Sequence, residues 1–323
     1  MLNSPDIAPI LGALLQHTDI IILGHEDPDA DCLGSQKALG LWLQHHGKTV
    51  HLCSAGPWRR PEILPWQGDF SNQIPQALAG KAITVILDCS SYERTGFPES
   101  SLPDTSMVVI DHHASGQPFG DLRWIEPTSP STTMMVQRLI EASGDALSPE
   151  MAEALFLGFC TDTGFFRHLE PHHGWSLEAV ARLLDAGASP PEAFRAINGG
   201  RSLGSRKLLG RALDRIELYF DGRVAITWEN WKDWKEVGTE RDSDKLYQSM
   251  LGIQGVEAAF LIREQNDGQC LVGLRSVTDL DVAEIARFFG GGGHKKASGC
   301  MISGDLNDAI EHLTQILATR LKA

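Results

Sequence analysis

The sequence lacks any run of apolar residues that approaches the roughly 18 positions needed to cross a membrane. The N-terminal residues also lack the basic segment and the small-residue cleavage site of a secretory signal peptide. Six cysteines are scattered without a CxxC pair or a regular spacing, which favours buried thiols over disulfide bonds or a zinc site. We therefore expect a cytoplasmic protein with no membrane partner.

Positive charge is scarce, because 28 lysine and arginine residues face 42 aspartate and glutamate residues, giving a net charge of −14. Tight binding to a long polyanion depends on many cationic contacts with phosphates, so we expect no long nucleic acid as a partner. A short anionic ligand remains compatible with this charge if bound cations invert the local field. The carboxylate clusters are therefore the first place to look for a site.

The length and the hydrophobic pattern predict two α/β domains. A chain of 323 residues suggests about two domains. In the first half, apolar runs at residues 20–23, 50–53, 83–87 and 107–110 alternate with helical patterns at 34–46 and 132–142. The predicted fold class is α/β, with a doubly wound, mainly parallel sheet in the N-terminal domain and a smaller α/β C-terminal domain.

Glycine and proline mark the predicted domain boundary, where they bracket one short helical stretch. We place a linker at residues 189–205, between an N-terminal domain at 1–188 and a C-terminal domain at 206–323. Beyond the linker, the pattern predicts strands at 223–228, 256–263 and 269–275 and helices at 282–289 and 306–321. No internal repeat or low-complexity tract is present.

The densest group of candidate ligands is HEDPDADCLGS at residues 25–35, directly after the first predicted strand. Open α/β sheets bind ligands at the carboxyl ends of their strands. Imidazole and carboxylate groups suit divalent ions such as Mn²⁺, and we expect His25, Asp29 and Asp31 to contribute. Asp29 and Asp31, two apart in a loop, are expected to serve two neighbouring ions. An acidic turn before a helix is the alternative.

Further acidic and imidazole groups follow later elements. Asp88 ends the third predicted strand, and His112 and His113 follow the fourth in the sequence DHH. Each of these residues alone could cap a helix or be an ordinary polar residue, but three strand ends that deliver Asp or His favour one site. Asp162, in TDTG after a helical stretch, can complete a second metal's shell, and a helix C-terminal turn is its alternative.

A phosphate-binding segment is predicted in the second domain, where FFGGGGHKKASG at residues 288–299 joins four glycines to His-Lys-Lys. Glycines let backbone N–H groups approach an anion closely, and the cationic side chains add donors. A flexible hinge is the alternative. Arg94 either points at a phosphate or pairs with Glu93. The residues assigned to phosphate binding are Arg94, Arg275, Ser276, Gly291, Gly292, Gly293 and His294.

Taken in order, HxxPDxDxxGS, the strand-terminal Asp, DHH, TDTG and GGGGH resemble the DHH phosphoesterase superfamily with its DHH-associated C-terminal domain. The likeness spans about residues 20–300, and GLRS with GGGGHKKASG looks like the nanoRNase and 3′-phosphoadenosine 5′-phosphate phosphatase group. The resemblance implies two Mn²⁺ ions, with Mg²⁺ or Co²⁺ as alternatives, and we expect the active site in the cleft between the domains. It implies that His25 and Asp29 bind one ion and that Asp88 bridges both ions. The ligands that it implies for the second ion are Asp31, His112 and Asp162.

The activity that the resemblance implies is metal-dependent hydrolysis of very short RNA, such as the dinucleotides pGpG or pApA, to mononucleotides. The nucleoside bisphosphate 3′-phosphoadenosine 5′-phosphate is a second candidate substrate. Asp88 and His113 are the expected catalytic residues, and His113 would contact the scissile phosphate or protonate the leaving group. Ser298 stands where the family commonly has Ala, and Val277 stands where a Lys is frequent. These two departures leave the details of the substrate open.

Several alternatives stay open at this stage. A pyrophosphatase or polyphosphatase shares the first domain, and a processive single-strand exonuclease of the same superfamily would add an OB-fold and a basic groove with stacking aromatics. A non-catalytic nucleotide sensor is a further alternative, and such a protein should have lost a metal ligand. The oligomeric state also stays open, although the resemblance favours a homodimer. Trp228, Trp231 and Trp234 could stack bases, line a dimer contact or pack the fold.

Overall fold

The computed structural model of the chain describes residues 7–101, 104–114, 116, 118–238, 240–265 and 267–321. The chain divides into two compact units, Met1–Gly200 and Arg201–Ala323. The segment at 189–205 contains a helix of the first unit and the start of the first helix of the second. Within the described ranges, no helix has both the length and the apolar character that crossing a membrane requires.

The first unit is built on a five-stranded parallel sheet with the order β2-β1-β3-β4-β5. Its strands are β1 (Asp19–Leu23), β2 (Thr49–Leu52), β3 (Ile83–Leu87), β4 (Ser106–Asp111) and β5 (Leu122–Ile125). Its helices are α1 (Ala8–Gln16), α2 (Ala30–His45), α3 (Thr132–Ala142), α4 (Pro149–Asp162), α5 (Gly174–Asp185) and α6 (Pro190–Asn198). The sequence did not predict β5, because only Trp124 of its four residues is buried and no apolar run marks it.

Both faces of the parallel sheet are buried, which explains why its strands are apolar runs rather than alternating patterns. Ile20 and Ile22 point to the larger core, which includes residues of α1 to α5. Ile21 and Leu23 point to a second cluster formed largely by connecting segments, with Phe97 among its members. The predicted α/β class and the parallel N-terminal sheet are confirmed.

The second unit is a mixed six-stranded sheet with the order β10-β11-β9-β8-β7-β6, in which β7 and β8 are parallel and the other pairs antiparallel. Its strands are β6 (Glu217–Tyr219), β7 (Val224–Glu229), β8 (Ala258–Glu264), β9 (Gln269–Ser276), β10 (Gly292–His294) and β11 (Ala297–Ser303). Its helices are α7 (Leu203–Asp214), α8 (Trp231–Val237), α9 (Ser243–Leu251), α10 (Val282–Phe288) and α11 (Leu306–Arg320).

Part of the glycine-rich segment is a β-strand, so the alternative of a flexible hinge does not hold for these residues. Gly292–His294 forms the edge strand β10, which pairs with β11 across the two-residue turn Lys295-Lys296. Gly291 and Gly293 permit this pairing, because a Cβ at either position would lie within 2.6 Å of the backbone of β11. Backbone pairing therefore overrides the low strand propensity of glycine.

Helices α2 and α4 of the first unit approach closely at two glycines. A Cβ at Gly34 would lie 2.5 Å from the carbonyl oxygen of Ala154. A Cβ at Gly158 would lie 2.7 Å from the carbonyl oxygen of Ala30 and 2.9 Å from the Cα of Asp31. These contacts bring the first two turns of α2 against α4, so Gly34 and Gly158 have a packing role.

We expect Gly158→Ala to lower the free energy of unfolding by about 1–3 kcal/mol, because backbone atoms of α2 must move to admit a methyl group. The matched control is Gly12→Ala in α1, where a Cβ would meet nothing within 4 Å. The free energy of unfolding of Gly12→Ala should exceed that of the parent chain by about 0.5–1 kcal/mol. Urea denaturation of both variants measures the difference, and equal stability of Gly158→Ala and the parent chain would contradict the close packing.

Candidate active site

The carboxyl ends of β1, β3 and β4 bring the candidate ligands to one edge of the parallel sheet. His25 lies two residues after β1, and Asp88 and His112 follow β3 and β4 directly. In a sheet of this order the direction of winding reverses between β1 and β3, where open α/β sheets bind ligands. Asp88 has a φ of 55°, an unfavourable left-handed conformation that is typical of functional positions.

Asp88 lies between two imidazole rings. Its Oδ2 is 3.4 Å from His25 Nε2, and its Oδ1 is 3.6 Å from His112 Nε2. His25 Nε2 is also 3.7 Å from Asp29 Oδ1, and His112 Nε2 is 3.4 Å from Asp162 Oδ2. The two oxygens of Asp88 therefore face two different groups of ligands, which is the arrangement that a bridging carboxylate requires.

Backbone carbonyls fix the orientation of both imidazoles. Nδ1 of His25 donates to the carbonyl oxygen of Glu26 at 2.7 Å, and Nδ1 of His112 donates to that of Ser129 at 3.2 Å. In a neutral imidazole with its proton on Nδ1, the lone pair of Nε2 is available to a cation. Both Nε2 atoms face carboxylates, so the two histidines are oriented as metal ligands.

Asp31 is fully buried at the N-terminus of α3. Its carboxylate accepts hydrogen bonds from the backbone N–H groups of Thr132 at 2.8 Å and Thr133 at 2.9 Å, and from the Thr133 hydroxyl at 2.7 Å. The hydroxyl of Thr132 donates to Asp88 Oδ1 at 3.1 Å. The first turn of α3 thus orients two candidate ligands, and sequence reasoning did not assign this role to its threonines.

The expectation of a loop is wrong for Asp31, whereas Asp29 is the last residue of the loop. Helix α2 begins at Ala30, four residues before the predicted start, and Asp29 is its N-cap, with the side chain accepting from the Cys32 N–H at 3.0 Å. Asp31 lies in the first helical turn. Asp162 is likewise the last residue of α4 rather than part of a following turn. The N-cap bond of Asp29 is the physical reason that the helix starts early.

Negative charge is crowded at this edge of the sheet. Burial, and then the charge of Asp88, raises the pKa of the Asp31 carboxyl above its usual range. Burial together with the charges of Asp31 and Asp88 raises the pKa of Asp162 in the same direction. Carboxylates that disfavour one another's ionisation are stabilised by a bound cation. The donor set therefore fits divalent metal ions.

The described residues contain three groups whose ligand atoms lie within 4.8 Å of one another. The first is Asp31, His112 and Asp162, the set that the resemblance implies for one ion. The other two groups are His25, Cys32 and Asp88, and Asp88, His112 and His113. Cys32 was not among the predicted ligands, because sequence spacing alone did not distinguish it from a buried core thiol.

His113 lies beside this cluster and is held by a carboxylate. Its Nδ1 is 2.7 Å from Asp111 Oδ1, and its backbone N–H donates to the same oxygen at 3.1 Å. The hydrogen bond to Asp111 raises the pKa of His113, and burial partly opposes this effect. The positive charge of Arg94 also opposes it, which places Arg94 in the neighbourhood of His113. Arg94 is exposed and donates to the Ser90 hydroxyl at 3.2 Å.

Arg60 supports the ligand segment and was not predicted. Its guanidinium donates to the carbonyl oxygens of Asp27 at 2.7 Å and Pro28 at 2.5 Å. These two residues immediately precede Asp29, so Arg60 stabilises the turn that presents this carboxylate. Arg60 is more than thirty positions from the turn in sequence, and no local pattern indicates the contact.

The remaining residues assigned to phosphate binding lie in the second unit. Gly292, Gly293 and His294 are exposed, and the guanidinium of Arg275 lies over the ring of Tyr247 at 4.7 Å. Ser276 is buried on the opposite face of β9, where its hydroxyl accepts from the Thr278 N–H at 3.3 Å. The binding roles of these residues stay predictions.

The three tryptophans of the second unit make packing contacts. Trp228 packs against the core of this unit. Lys235 lies over the ring of Trp231 at 4.1 Å, and Arg241 lies over the ring of Trp234 at 4.4 Å. Cation–π contacts of this kind stabilise a surface modestly.

Comparison with known proteins places the chain in a family. Residues 19–159 match the N-terminal domain of the DHH family, and residues 223–319 match the DHHA1 domain. The bifunctional oligoribonuclease and PAP phosphatase NrnA of Thermus thermophilus is 30% identical over 315 residues, covering 94% of this chain and 90% of that protein. The chain therefore belongs to the DHH family of phosphoesterases.

Solved structures have the same fold. An exopolyphosphatase-related protein from Bacteroides fragilis aligns with a TM-score of 0.82 at 24% identity, covering 97% of this chain and 95% of that one. The exonuclease RecJ bound to manganese aligns with a TM-score of 0.56 at 17% identity, covering 98% of this chain and 94% of that one. At these identities the likeness concerns the fold alone.

We expect Mn²⁺ to stabilise the folded chain, because a cation relieves the repulsion among the buried carboxylates. At a free Mn²⁺ concentration of one hundred times the dissociation constant, the free energy of unfolding should rise by about 2.7 kcal/mol. A thermal-shift titration measures it, and a chelator should reverse it. Asp88→Ala should lose most of the shift, whereas Asp185→Ala, an exposed change in α5, should keep it. An unchanged shift in Asp88→Ala would contradict the assignment of Asp88.

Proposed function

We propose that this chain hydrolyses very short RNA to mononucleotides, using two divalent cations held by six side chains of the first unit. The observation that carries the proposal is the position of Asp88 between His25 and His112, with one carboxylate oxygen facing each imidazole. The proposed ligands are His25 and Asp29 for one ion, Asp31, His112 and Asp162 for the second, and Asp88 for both.

The bound cations would lower the pKa of a water towards neutrality and stabilise the negative charge that develops at phosphorus. The protein's own part is to hold the ligands in place. The carbonyls of Glu26 and Ser129 set the tautomers of the two imidazoles, and the first turn of α3 fixes Asp31 and Asp88. We propose Mn²⁺ as the physiological ion, since imidazole and carboxylate ligands suit it and the RecJ structure contains manganese.

His113 is the proposed general acid. The contact with Asp111 orients its ring and favours the protonated imidazole, so it has a proton to give to the leaving oxygen or to a phosphate oxygen. General acid catalysis typically contributes about 10²–10⁴-fold to the rate. Arg94, near His113, is the proposed partner for a second phosphate oxygen.

The part of the second sheet formed by β10 and β11 offers a surface for the rest of the substrate. In the cross-strand register, Gly292 pairs with Gly299 and Gly299 with Gly273, while His294 pairs with Ala297 and Ala297 with Arg275. Directly opposite and alternate residues share a face of a sheet. Gly292, Ala297 and Gly299 form a small-residue strip on this face, in which Ala297 lies between His294 and Arg275 and the row of Gly292 and Gly299 lies beside them. At Gly273, in the next strand, the hydroxyl of Tyr247 occupies the space that a side chain would fill. A flat base or a sugar fits a strip with so few side chains, and the side chains of His294 and Arg275 carry N–H groups that can donate to a phosphate.

Gly292 bears on whether this surface binds a ligand. A Cβ added at Gly292 would meet nothing within 4 Å, and the backbone there does not have a positive φ. The fold itself therefore does not require glycine at this position, in contrast to Gly291 and Gly293. In the proposed function, the absence of a side chain at Gly292 leaves space for a bound ligand.

The substrate class is proposed from these features together with the Thermus relative, whose name gives oligoribonuclease and PAP phosphatase activities. A small strip beside His294 and Arg275 matches a dinucleotide or 3′-phosphoadenosine 5′-phosphate better than a long strand. Pyrophosphate is the main alternative substrate, because the metal centre alone would suffice to hydrolyse it. We further propose a cytoplasmic location, because all six cysteines are free and buried.

The function is tested by a Mn²⁺-dependent time course on labelled RNA of two, five and about twenty nucleotides. The assay includes 3′-phosphoadenosine 5′-phosphate and pyrophosphate, with Asp88→Ala as the inactive control. We expect the dinucleotide to be cleaved fastest and the longest strand slowest. Faster cleavage of pyrophosphate or of the longest strand would reject short RNA as the substrate while leaving the metal centre in place.

We expect His294→Ala to raise KM for the dinucleotide by about 10- to 100-fold with a smaller change in kcat, since a hydrogen bond to a charged group contributes about 1.5–3 kcal/mol. His312→Ala is the matched control, because His312 is an exposed histidine of the same unit on α11. An unchanged KM in His294→Ala would show that this edge strand does not bind substrate.

A further inference from the structure

Tyr247 of α9 is almost completely buried in the second unit and has no part in the proposed mechanism. It is 5% exposed and packs in a cluster with Leu246 and Met250. Among the residues that the structure describes, its hydroxyl has no hydrogen-bond partner. The large majority of buried polar side-chain atoms in folded proteins have a partner, so this hydroxyl is a candidate for binding a ligand.

The hydroxyl lies directly over the backbone of β9. A Cβ at Gly273 would be 2.2 Å from the Tyr247 oxygen, so glycine at this position leaves the space that the hydroxyl occupies. Gly273 pairs with Gly299 of β11, and directly paired residues of adjacent antiparallel strands have Cα atoms about 4.5–5.5 Å apart. The hydroxyl is therefore at the edge of the small-residue strip, one strand away from Gly299.

The strip is open beside this hydroxyl. A Cβ at Gly292 would meet nothing within 4 Å, and a Cβ at Gly299 would meet only the backbone oxygen of Val272 at 3.3 Å. Among the described residues, no side chain fills the space over these two glycines. A ligand group that lies on the strip at Gly299 would therefore come within hydrogen-bonding reach of the phenol.

The phenol differs chemically from its cationic neighbour. The guanidinium of Arg275 lies over the ring of Tyr247 at 4.7 Å. A guanidinium only donates hydrogen bonds and suits phosphate oxygens, whereas a phenol both donates and accepts. Burial raises the pKa of Tyr247, so the phenol keeps its proton at neutral pH. The 2′-hydroxyl of a ribose also donates and accepts, and it is a matched partner for this group.

The spacing of the two rows of the sheet favours the sugar over the base as this partner. The row that contains Arg275 and the row that contains Gly273 are two residues apart along the strands, which is about 6.5–7 Å. The sugar of a nucleotide is bonded directly to its phosphate, whereas the hydrogen-bonding edge of the base lies farther away. A phosphate at Arg275 therefore places the sugar of the same nucleotide nearest to Tyr247.

We propose that the Tyr247 hydroxyl binds the 2′-hydroxyl of a ribose on the small-residue strip, and that this contact makes the chain prefer RNA dinucleotides over DNA dinucleotides. The inference rests on the proposed function and deepens it, because it names a residue that selects the sugar of the substrate. Gly273 leaves the space for the hydroxyl, and the guanidinium of Arg275 covers the ring.

Calorimetry of dinucleotide binding to the full chain tests this role. The measurement uses the Asp88→Ala background in the presence of Mn²⁺, so that the dinucleotide stays intact. In this background, Tyr247→Phe should weaken binding of a ribodinucleotide by about three- to tenfold, since one neutral hydrogen bond is lost. Binding of the 2′-deoxy dinucleotide of the same sequence should stay nearly unchanged. Tyr219→Phe is the matched control, because the Tyr219 hydroxyl already donates to Glu217 at 2.6 Å.

Gly273→Ala provides a second variant that leaves the phenol in the sequence but displaces it. The added methyl group would occupy the position of the hydroxyl, so this variant should lose the same preference for ribose. Circular dichroism checks that each variant folds. If Tyr247→Phe does not fold, the ratio of ribose to deoxyribose binding in Gly273→Ala decides.

The outcomes separate this inference from the proposed function. Equal weakening of both dinucleotides in Tyr247→Phe would assign the hydroxyl to a base or a phosphate and overturn the ribose contact. Unchanged binding of both would overturn any substrate role of Tyr247. Either result leaves the proposed function in place, because hydrolysis by the parent chain is measured separately. If the parent chain hydrolyses no dinucleotide and Asp88→Ala binds none, the proposed function fails and the inference fails with it.

Discussion

The arrangement of the site depends on the contact between the Asp31 carboxylate and the first turn of α3. Two backbone N–H groups and one hydroxyl hold a fully buried negative charge at a helix N-terminus, where the helix dipole is favourable. This contact joins α2 to α3, and the glycine contacts join α2 to α4. Asp31 lies on α2, Asp162 ends α4 and Asp88 follows β3, so their convergence requires that the two helices and the sheet pack at short distances.

The same packing brings buried carboxylates close together, and bound metal ions would reduce the repulsion between them. Buried carboxylates raise one another's pKa, and a fold without cations there would carry an unfavourable cluster of charge. Hydrogen bonds from α3 offset part of this cost for Asp31, and the imidazoles of His25 and His112 lie beside Asp88. Divalent cations held at this site would provide the positive charge that its own residues do not supply.

The sequence predicted most of the elements of the first unit because its strands are continuous apolar runs, and the helix at Thr132–Ala142 was bounded correctly by its cap. Short or half-exposed elements such as β5 and β10 leave no such pattern. The candidate ligands followed from strand ends and from family resemblance. The supporting contacts of Arg60 and Thr132 could not be predicted, because they join residues distant in sequence through backbone atoms that carry no residue-type signal.

The charge distribution accounts for the kind of substrate that the fold can accept. In the second unit, Arg211, Arg215, Arg223 and Arg241 are paired with carboxylates, so these arginines add little to a phosphate-binding field. A protein with a net charge of −14 cannot attract a long strand through a general positive potential. In the proposed function, recognition would instead come from a few local groups, namely bound cations and single side chains such as His294. Local groups of this kind contact one or two phosphates, and this physical limit favours short nucleotides over polymers.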